Sequence, residues 1–198
     1  RIYSNNSGCG HLLDRRSLEL SLTLGWLMMM PWKHPASLPS SELMNDCQVA
    51  RTRAPGPGGQ RRNKVETAVR ITHSPTGLMA SASERRNQHE NQEMALFRLR
   101  LKLALELRYP IENVPQPSDL WQSRCRKGRI AVNSGHMDFP ALIAEALDVL
   151  MARDWEPQSA AKWFSCSASQ LIKLLKQEMK AMAWVNKQRI SQGKHPLR

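Results

Sequence analysis

The residues with the strongest chemical character are Gly58, Gly59 and Gln60, which close the run Ala54-Pro55-Gly56-Pro57-Gly58-Gly59-Gln60. Three glycines and two prolines in so short a run predict an exposed loop, neither helix nor strand. The amide of Gln60 is neutral and cannot act as a general base, so its chemistry would be the placement of a nucleophile such as water. The glycines let the backbone adopt positive φ values and approach a large partner closely.

Basic residues flank this loop, and no acidic residue stands between Arg51 and Lys64. The whole chain has a formal net charge of +12, which favours nucleic acid or another anionic partner. Cationic side chains of this kind neutralise phosphates. Seven residues in and around the loop are therefore candidates for binding RNA: Arg51, Arg53, Arg61, Arg62, Asn63, Lys64 and Arg70. Two alternatives stay open, because Asn63 would equally serve as a turn residue and Arg70 as half of a structural ion pair.

The amino-acid sequence around the loop resembles the catalytic domain of class I peptide chain release factors. The matching residues run from Gly56 to Asn91, and more loosely through Leu101. They are Gly56-Pro57-Gly58-Gly59-Gln60, Asn63-Lys64, Ala68-Val69-Arg70-Ile71-Thr72-His73, Pro75-Thr76-Gly77, Arg86, Gln88-His89 and Asn91.

The resemblance implies hydrolysis of the ester that joins a nascent peptide to tRNA, on the large ribosomal subunit. Gly58, Gly59 and Gln60 would be the catalytic residues. The backbone N–H of Gln60 would help to bind the developing oxyanion, while its side chain shapes a slot that admits water. Proton transfer would fall to the substrate ribose and ribosomal RNA, so no cofactor and no metal are expected. The resemblance also makes Gln60 a candidate for methylation.

Full-length release factors carry a separate domain that reads stop codons, and neither the residues before Gly56 nor those after Leu107 resemble it. We therefore expect a codon-independent relative that rescues stalled ribosomes. It would act as a monomer, with ribosomal RNA, the peptidyl-transferase centre and P-site peptidyl-tRNA as partners. Such relatives use a basic C-terminal tail, and residues 187–198 are basic but short.

A different class of function is a non-enzymatic regulator that binds nucleic acid through a helix-turn-helix, with residues 167–182 entering duplex DNA. Beyond Gln170 and its lysines, this segment has few side chains that read bases. Lys173, Lys176 and Lys180 are candidates for contacts with RNA phosphates, and solvated surface lysines are an equally weighted interpretation. We expect Trp155, Trp163 and Trp184 to lie in a core.

The elements that would position the loop form an α+β fold. It combines a small domain, with a short sheet and one long packed helix, and an α-helical module of helix-turn-helix type. The predicted divisions are residues 1–40 as disorder or an upstream extension, 41–108 as the catalytic domain, 109–135 as a basic Pro-rich linker and 136–198 as the helical module with a basic tail. Translation would then start at Met28, Met29 or Met30.

Within the first domain we predict a short helix at 41–44, a strand at 48–53 and a hairpin over 68–82 with its turn at 74–77. Residues 84–108 are ambiguous, because 97–107 alternate as in a strand. Their Leu, Arg, Lys, Glu and Ala residues favour one long helix, with an apolar stripe at Leu96, Leu99, Leu103 and Leu107.

In the second module, Asp138 and Pro140 indicate a helix start, a second helix spans 157–164, and 165–167 form a turn. Ser167 and Gln170 predict a capping box for a third helix, whose apolar stripe would be Leu171, Leu174, Leu175 and Met179.

The four cysteines, Cys9, Cys47, Cys125 and Cys166, are far apart and form no C-x-x-C pair. They indicate reduced thiols, neither a zinc site nor a disulfide framework. No apolar run approaches the roughly 20 residues of a membrane span. We expect a cytoplasmic protein. An organelle would apply only if residues 1–30 were a transit peptide, which Asp14 and Glu19 disfavour.

Overall fold

A computed structural model describes residues 33–52, 67–111 and 114–198, which belong to one compact unit, Trp32–Arg198. The predictions made for residues 1–32 and for the loop 53–66 lie outside the described residues. The predicted α+β class is confirmed. In chain order the elements are a 3₁₀ turn Pro35–Ser37, α1 Ser40–Asn45, β1 Cys47–Thr52, β2 Ala68–His73, β3 Met79–Ala82, α2 Gln88–Glu106, α3 Asp119–Arg124, β4 Cys125–Arg126, β5 Arg129–Ile130, α4 Phe139–Ala152, α5 Pro157–Trp163, α6 Ala168–Lys176 and α7 Met179–Ser191.

The first three strands form an antiparallel sheet in the order β1-β2-β3, which confirms the predicted hairpin. Val69 and Ile71 of the central strand are buried beneath α2, whereas Arg70 between them is exposed. This alternation gives the sheet one face on the core and one face in solvent. The turn between β2 and β3 ends at Gly77, whose φ of 70° is one that a residue with a β-carbon seldom adopts.

The helix prediction for the ambiguous segment is confirmed, since α2 runs unbroken from Gln88 to Glu106. Asn87 caps its first turn by accepting a hydrogen bond from the His89 N–H at 2.9 Å. Leu96, Leu99 and Leu103 are buried on one stripe of the helix. Helical spacing brings these leucines to one face, and a strand could not have done so.

Within the described residues, packing is already present before residue 40, because His34, Pro35 and Ala36 are buried. The prolines do prevent an α-helix, but they allow one 3₁₀ turn, Pro35–Ser37, that contacts both α2 and α4. His34 and Ala36 are fully buried there, and the His34 Nδ1 accepts a hydrogen bond from the Ala36 N–H at 3.0 Å. The prediction that residues 1–40 are disorder or an upstream extension is therefore wrong for the described residues 33–40.

The segment predicted as a linker, 109–135, contains α3 and the β4–β5 hairpin. Trp121 of α3 is only 1% exposed, and its ring stacks on Phe164 with a centroid separation of 3.6 Å. The Ser118 hydroxyl caps α3 by accepting from the Trp121 N–H at 3.1 Å. A capped turn and one buried tryptophan thus give structure to a segment that was predicted to be a basic Pro-rich linker.

Helix α4 is the centre of the C-terminal part, with every residue from Phe139 to Leu150 buried. It contacts α2 as well as α5, α6 and α7. Pro140 stands in its first turn as predicted, but the Asp138 side chain does not cap the helix. That carboxylate instead binds the Arg124 guanidinium at 2.6 and 2.9 Å, so an ion pair to α3 has replaced the predicted cap.

A buried ion pair links the residues just after α2 to α4. The Arg108 guanidinium lies 3.1 Å from the Asp148 carboxylate and 4.8 Å from the centre of the Trp184 ring. The same side chain donates 2.7 Å hydrogen bonds to the carbonyls of Ala104 and Leu105 at the end of α2. Burial lowers the pKa of Arg108, and the adjacent Asp148 opposes that shift.

The predicted helix-turn-helix is present as α5 and α6. Only half of the predicted capping box forms. The Ser167 hydroxyl accepts from the Gln170 N–H at 3.3 Å, but the Gln170 side chain turns to the Ile130 N–H, 3.5 Å away. The predicted stripe ends at Leu175, because α6 stops at Lys176 and Met179 is 83% exposed.

A separate helix, α7, begins after Glu178, whose carboxylate accepts from the Lys180 N–H at 3.1 Å. The chain after α7 folds back onto it. The amide of Asn186 exchanges hydrogen bonds with the backbone of Leu197 at 2.7 and 3.2 Å, and the Arg189 Nε donates to the His195 carbonyl at 2.9 Å. None of the described helices combines the length and the apolar character that a membrane span requires.

Candidate functional site

The loop that carries Gly58, Gly59 and Gln60 connects two paired strand ends. Thr52 is the last residue of β1 and Ala68 the first of β2, and the two face each other across the antiparallel ladder. Paired residues of such a ladder have Cα atoms roughly 5 Å apart, so the two ends of the connection are neighbours. The three catalytic candidates lie outside the described residues, as do Arg53, Arg61, Arg62, Asn63 and Lys64.

Asn91 holds the end of this connection next to β2. Its side chain is completely buried, and its Nδ2 donates to the carbonyls of Thr67 at 2.7 Å and of Arg85 at 2.9 Å. Its Oδ1 accepts from the Arg85 N–H at 2.9 Å. One amide of α2 therefore satisfies backbone groups of two separate segments. The sequence placed Asn91 among the matching residues but indicated no role for it.

The opposite end of β2 is fixed by a second local network. The Nδ1 of His73 lies 2.8 Å from the Thr76 hydroxyl, and the His73 carbonyl accepts from the Gly77 N–H at 2.8 Å. Burial lowers the pKa of His73, an effect that the charge of Asp46 opposes. His73 thus has a packing and hydrogen-bonding role.

Arg51 and Arg70 are exposed but point to opposite faces of the sheet. Arg51 faces Val69 across the ladder, and Arg70 faces Ala50. Residues directly opposite share a face, so Arg51 lies on the α2 side and Arg70 on the solvent side. Neither forms an ion pair with any of the described residues. The ion-pair alternative for Arg70 thus has no partner within those ranges, and the two arginines do not form one cluster.

The lysine candidates of the C-terminal module are all exposed. Lys173 and Lys176 stand one turn apart on α6, whereas Lys180 lies in the first turn of α7. The structure therefore divides these three residues between two helices.

Of the tryptophans expected in a core, Trp155 is buried and packs edge-on against Trp184 with centroids 4.8 Å apart. Trp163 is half-buried and packs edge-on against Phe164. Within the described ranges, no three His, Cys, Asp or Glu side chains are grouped so that they could hold a metal ion.

Comparison of the sequence with known proteins points to one domain family. The sequence model of the RF-1 domain matches residues 41–133, from α1 through the β4–β5 hairpin. Peptide chain release factor 1 of Acetivibrio thermocellus is 41% identical over 80 residues, which cover 40% of this chain and 21% of that protein. Peptide chain release factor PrfB1, chloroplastic, of Arabidopsis thaliana is 55% identical over 58 residues, which cover 29% of this chain and 13% of that protein.

A third relative, peptide chain release factor 1 of Dinoroseobacter shibae, is 39% identical over 101 residues. This match covers 48% of the chain and 26% of the relative. The chain thus spans about a quarter or less of the length of these three relatives. Residues 41–133 match the RF-1 domain, and this match together with these relatives supports membership of the class I peptide chain release factor family.

Proposed function

We propose that this protein hydrolyses peptidyl-tRNA on the large ribosomal subunit, with Gly58, Gly59 and Gln60 as its catalytic residues. One observation carries the proposal. The three residues lie inside the segment that matches the RF-1 domain, between strand ends that are paired in the sheet. Water would attack the ester carbonyl, and the tRNA ribose oxygen would leave.

The chemistry that this loop would supply is positioning. The backbone N–H of Gln60 would donate a hydrogen bond to the oxyanion, and the loss of one such donor typically costs about 10²- to 10³-fold in rate. The amide side chain of Gln60 would orient water, because it has no basic atom with which to remove a proton. Gly58 and Gly59 would allow backbone conformations and a closeness to RNA that a β-carbon prevents.

The buried Asn91 supports this proposal from the described part of the domain. Its hydrogen bonds to Thr67 and Arg85 would hold the return end of the loop at a fixed place beside β2. A fixed end reduces the number of conformations that are open to the loop, and this favours the reactive conformation. Asn91 is on this account a positioning residue.

The basic side chains would supply affinity for ribosomal RNA. We propose phosphate contacts for Arg51, Arg53, Arg61, Arg62, Lys64 and Arg70 around the loop, and for Lys173, Lys176 and Lys180 in the C-terminal helices. The neutral amide of Asn63 would donate a hydrogen bond to the RNA. Each neutralised phosphate contributes a salt-dependent increment of affinity.

We also propose that release needs no stop codon, so that the protein rescues stalled ribosomes. The support is the resemblance to short, codon-independent relatives of the release factors. One feature differs from them, since His195 and Leu197, which follow α7, bind back to Arg189 and Asn186.

The test uses purified ribosomes with labelled peptidyl-tRNA in the P site. Their A site would hold a stop codon, a sense codon or no mRNA at all. We expect release at similar rates with a sense codon and with no mRNA, and no dependence on the stop codon. Release that requires the stop codon would contradict the rescue role alone. No release from any complex would contradict the hydrolase, and specific binding of duplex DNA without release would favour the nucleic-acid-binding regulator.

A further inference from the structure

The β4–β5 hairpin presents three exposed cations at its tip. Cys125 and Arg126 pair with Ile130 and Arg129, and Lys127-Gly128 form the turn with φ values of 49° and 72°. Arg126, Lys127 and Arg129 are all exposed. The sequence has no acidic residue between Leu120 and Met137, so the charge of this tip is not balanced within its own segment.

This hairpin is held against the turn that joins α5 to α6. Trp121, just before the hairpin, stacks on Phe164 of that turn. The Cys125 thiol lies 4.0 Å from the Phe164 carbonyl, and the Ile130 N–H lies 3.5 Å from the Gln170 Oε1. Contacts on both strands thus fix the hairpin beside the start of α6, which reduces the ordering cost of any binding at its tip.

Helix α6 continues the same basic surface. Its exposed cations are Lys173 and Lys176, and the sequence has no acidic residue between Pro157 and Gln177. A shallow groove between β5 and α6 is lined by Val132, Gln170, Lys173 and Gln177, among others. We call the five cations of the hairpin tip and α6 the basic face: Arg126, Lys127, Arg129, Lys173 and Lys176.

Four arginines elsewhere in the described fold form ion pairs, and the basic face does not. Arg98, Arg108, Arg124 and Arg189 all form ion pairs, at 2.8, 3.1, 2.6 and 3.4 Å from Glu84, Asp148, Asp138 and Glu156. By contrast, no side chain of the basic face forms an ion pair with a residue in the ranges that the structure describes. Folding therefore gains little from these five charges.

Lys127 adds a conformational cost. A two-residue hairpin turn with both φ values positive prefers Asn-Gly or Asp-Gly, and a residue such as lysine in the left-handed region costs roughly 1–2 kcal/mol. Asparagine at this position would suit the turn better and would carry no charge. Lys127 thus carries its charge at a cost in stability, a pattern that is typical of functional sites.

We propose that the basic face binds the phosphate backbone of double-stranded RNA. Neither the hairpin tip nor α6 contains an aromatic residue, and single-strand binding surfaces usually stack bases on aromatic rings. Gln170, the main candidate for reading a base pair, lies against the Ile130 backbone. None of the exposed large apolar residues among the described ones (Val49, Met79, Met137, Met179 and Ile190) belongs to the hairpin or to α6, which disfavours a membrane. The choice of RNA over duplex DNA rests on the proposed function.

The test measures binding of the full chain to a fluorescent RNA duplex by anisotropy over a range of salt concentrations. The variant combines Arg126→Gln, Lys127→Asn, Arg129→Gln, Lys173→Gln and Lys176→Gln, and its fold is checked by circular dichroism. We expect binding at least about ten-fold weaker, and a log–log salt slope smaller by about 0.9 for each phosphate that the variant no longer neutralises. Lys127→Asn alone should raise stability while weakening binding.

The matched control removes five charges from other exposed positions, through Arg85→Gln, Arg86→Gln, Arg153→Gln, Lys187→Gln and Arg198→Gln. It should keep most of the affinity for the RNA duplex. An equal loss in both variants would show an effect of net charge and overturn the proposal. Tighter binding to a DNA duplex of the same length, or to vesicles containing phosphatidylserine, would also overturn it. Gln60→Ala should bind the RNA duplex normally, so a failed release assay and a failed basic face are distinguishable.

Discussion

At the scale of single residues, the buried amide of Asn91 binds the backbone of two segments outside its own helix, at Thr67 and Arg85. All of its side-chain polar atoms bond to backbone groups, and two of these bonds need an N–H donor that an aspartate lacks. Removal of the amide would leave the carbonyl of Thr67 without this partner, which is more costly than the loss of a solvated hydrogen bond.

We predict that Asn91→Ala lowers the free energy of unfolding by about 1–3 kcal/mol, as measured in urea, and also slows peptide release. Asn87→Ala is the matched control. It removes the cap of the same helix, costs about 1 kcal/mol and leaves the hydrogen bond to Thr67 intact. If both variants release peptide equally well while folded, Asn91 has no positioning role.

At the scale of elements, α4 carries a buried carboxyl group with an unusual titration. Glu145 accepts hydrogen bonds from the N–H and hydroxyl of Ser118 at 2.7 and 2.6 Å. Burial raises the pKa of Glu145 to about 7 from 4.5, against the effect of the Ser118 hydrogen bonds, and the charge of Asp148 adds to the rise. The folded protein therefore holds a proton between these two pH values that the unfolded chain has lost, and stability falls as the pH rises through that window.

His34 has the opposite pH dependence. Burial, with help from the charge of Arg108, lowers the pKa of His34 to about 4 from 6.5. In this case the unfolded chain binds the proton first, so stability falls as the pH drops from 6.5 towards 4. Between about pH 4.5 and 6.5 the contributions of Glu145 and His34 offset each other.

We predict that Glu145→Gln gains stability relative to the parent protein as the pH rises from 4.5 to 7, by up to about 3 kcal/mol. The glutamine keeps an acceptor for the Ser118 N–H and has no charge to bury. Urea unfolding at about pH 4.5 and about pH 8 measures the difference, with Glu156→Gln at the half-buried partner of Arg189 as the control. A difference between Glu145→Gln and the parent that does not change with pH would contradict this account.

At the scale of the whole molecule, the RF-1 domain and the C-terminal helices share one core. Helix α4 packs on α2, and the Arg108–Asp148 pair is buried where they meet. Removal of one partner from such a pair leaves a buried charge without compensation.

We therefore predict that Asp148→Asn costs about 3–5 kcal/mol, whereas Arg98→Gln at the exposed pair with Glu84 costs at most about 1 kcal/mol. Far-ultraviolet circular dichroism and tryptophan fluorescence should report the same single unfolding transition, because both sides of the α2–α4 contact unfold together. Two separate transitions would show that the C-terminal helices form an independent unit.

The elements that could be predicted from the sequence are those that depend on residues close together in the chain. The β2–β3 hairpin and α2 were predictable because alternation, turn residues and helix formers act over a few neighbouring residues. Trp121 was missed, since its partner Phe164 is remote in sequence and its own segment is rich in proline and basic residues. The start of α7 depends on the cap at Glu178, which was not distinguished from a continued helix. At the site, Asn91 was among the residues that match the release-factor catalytic domain, but only the fold shows that it binds Thr67.

The proposed catalyst of ester hydrolysis on the ribosome is the loop around Gln60. The direct measurement is the rate of peptide release from ribosomes with P-site peptidyl-tRNA, for the parent, Gln60→Ala and Gln48→Ala. Gln48 is an exposed glutamine on β1 of the same sheet and serves as the control. We predict that Gln60→Ala slows release by at least about ten-fold with ribosome binding retained, and that Gln48→Ala matches the parent. Release by Gln60→Ala at the rate of the parent would contradict the claim.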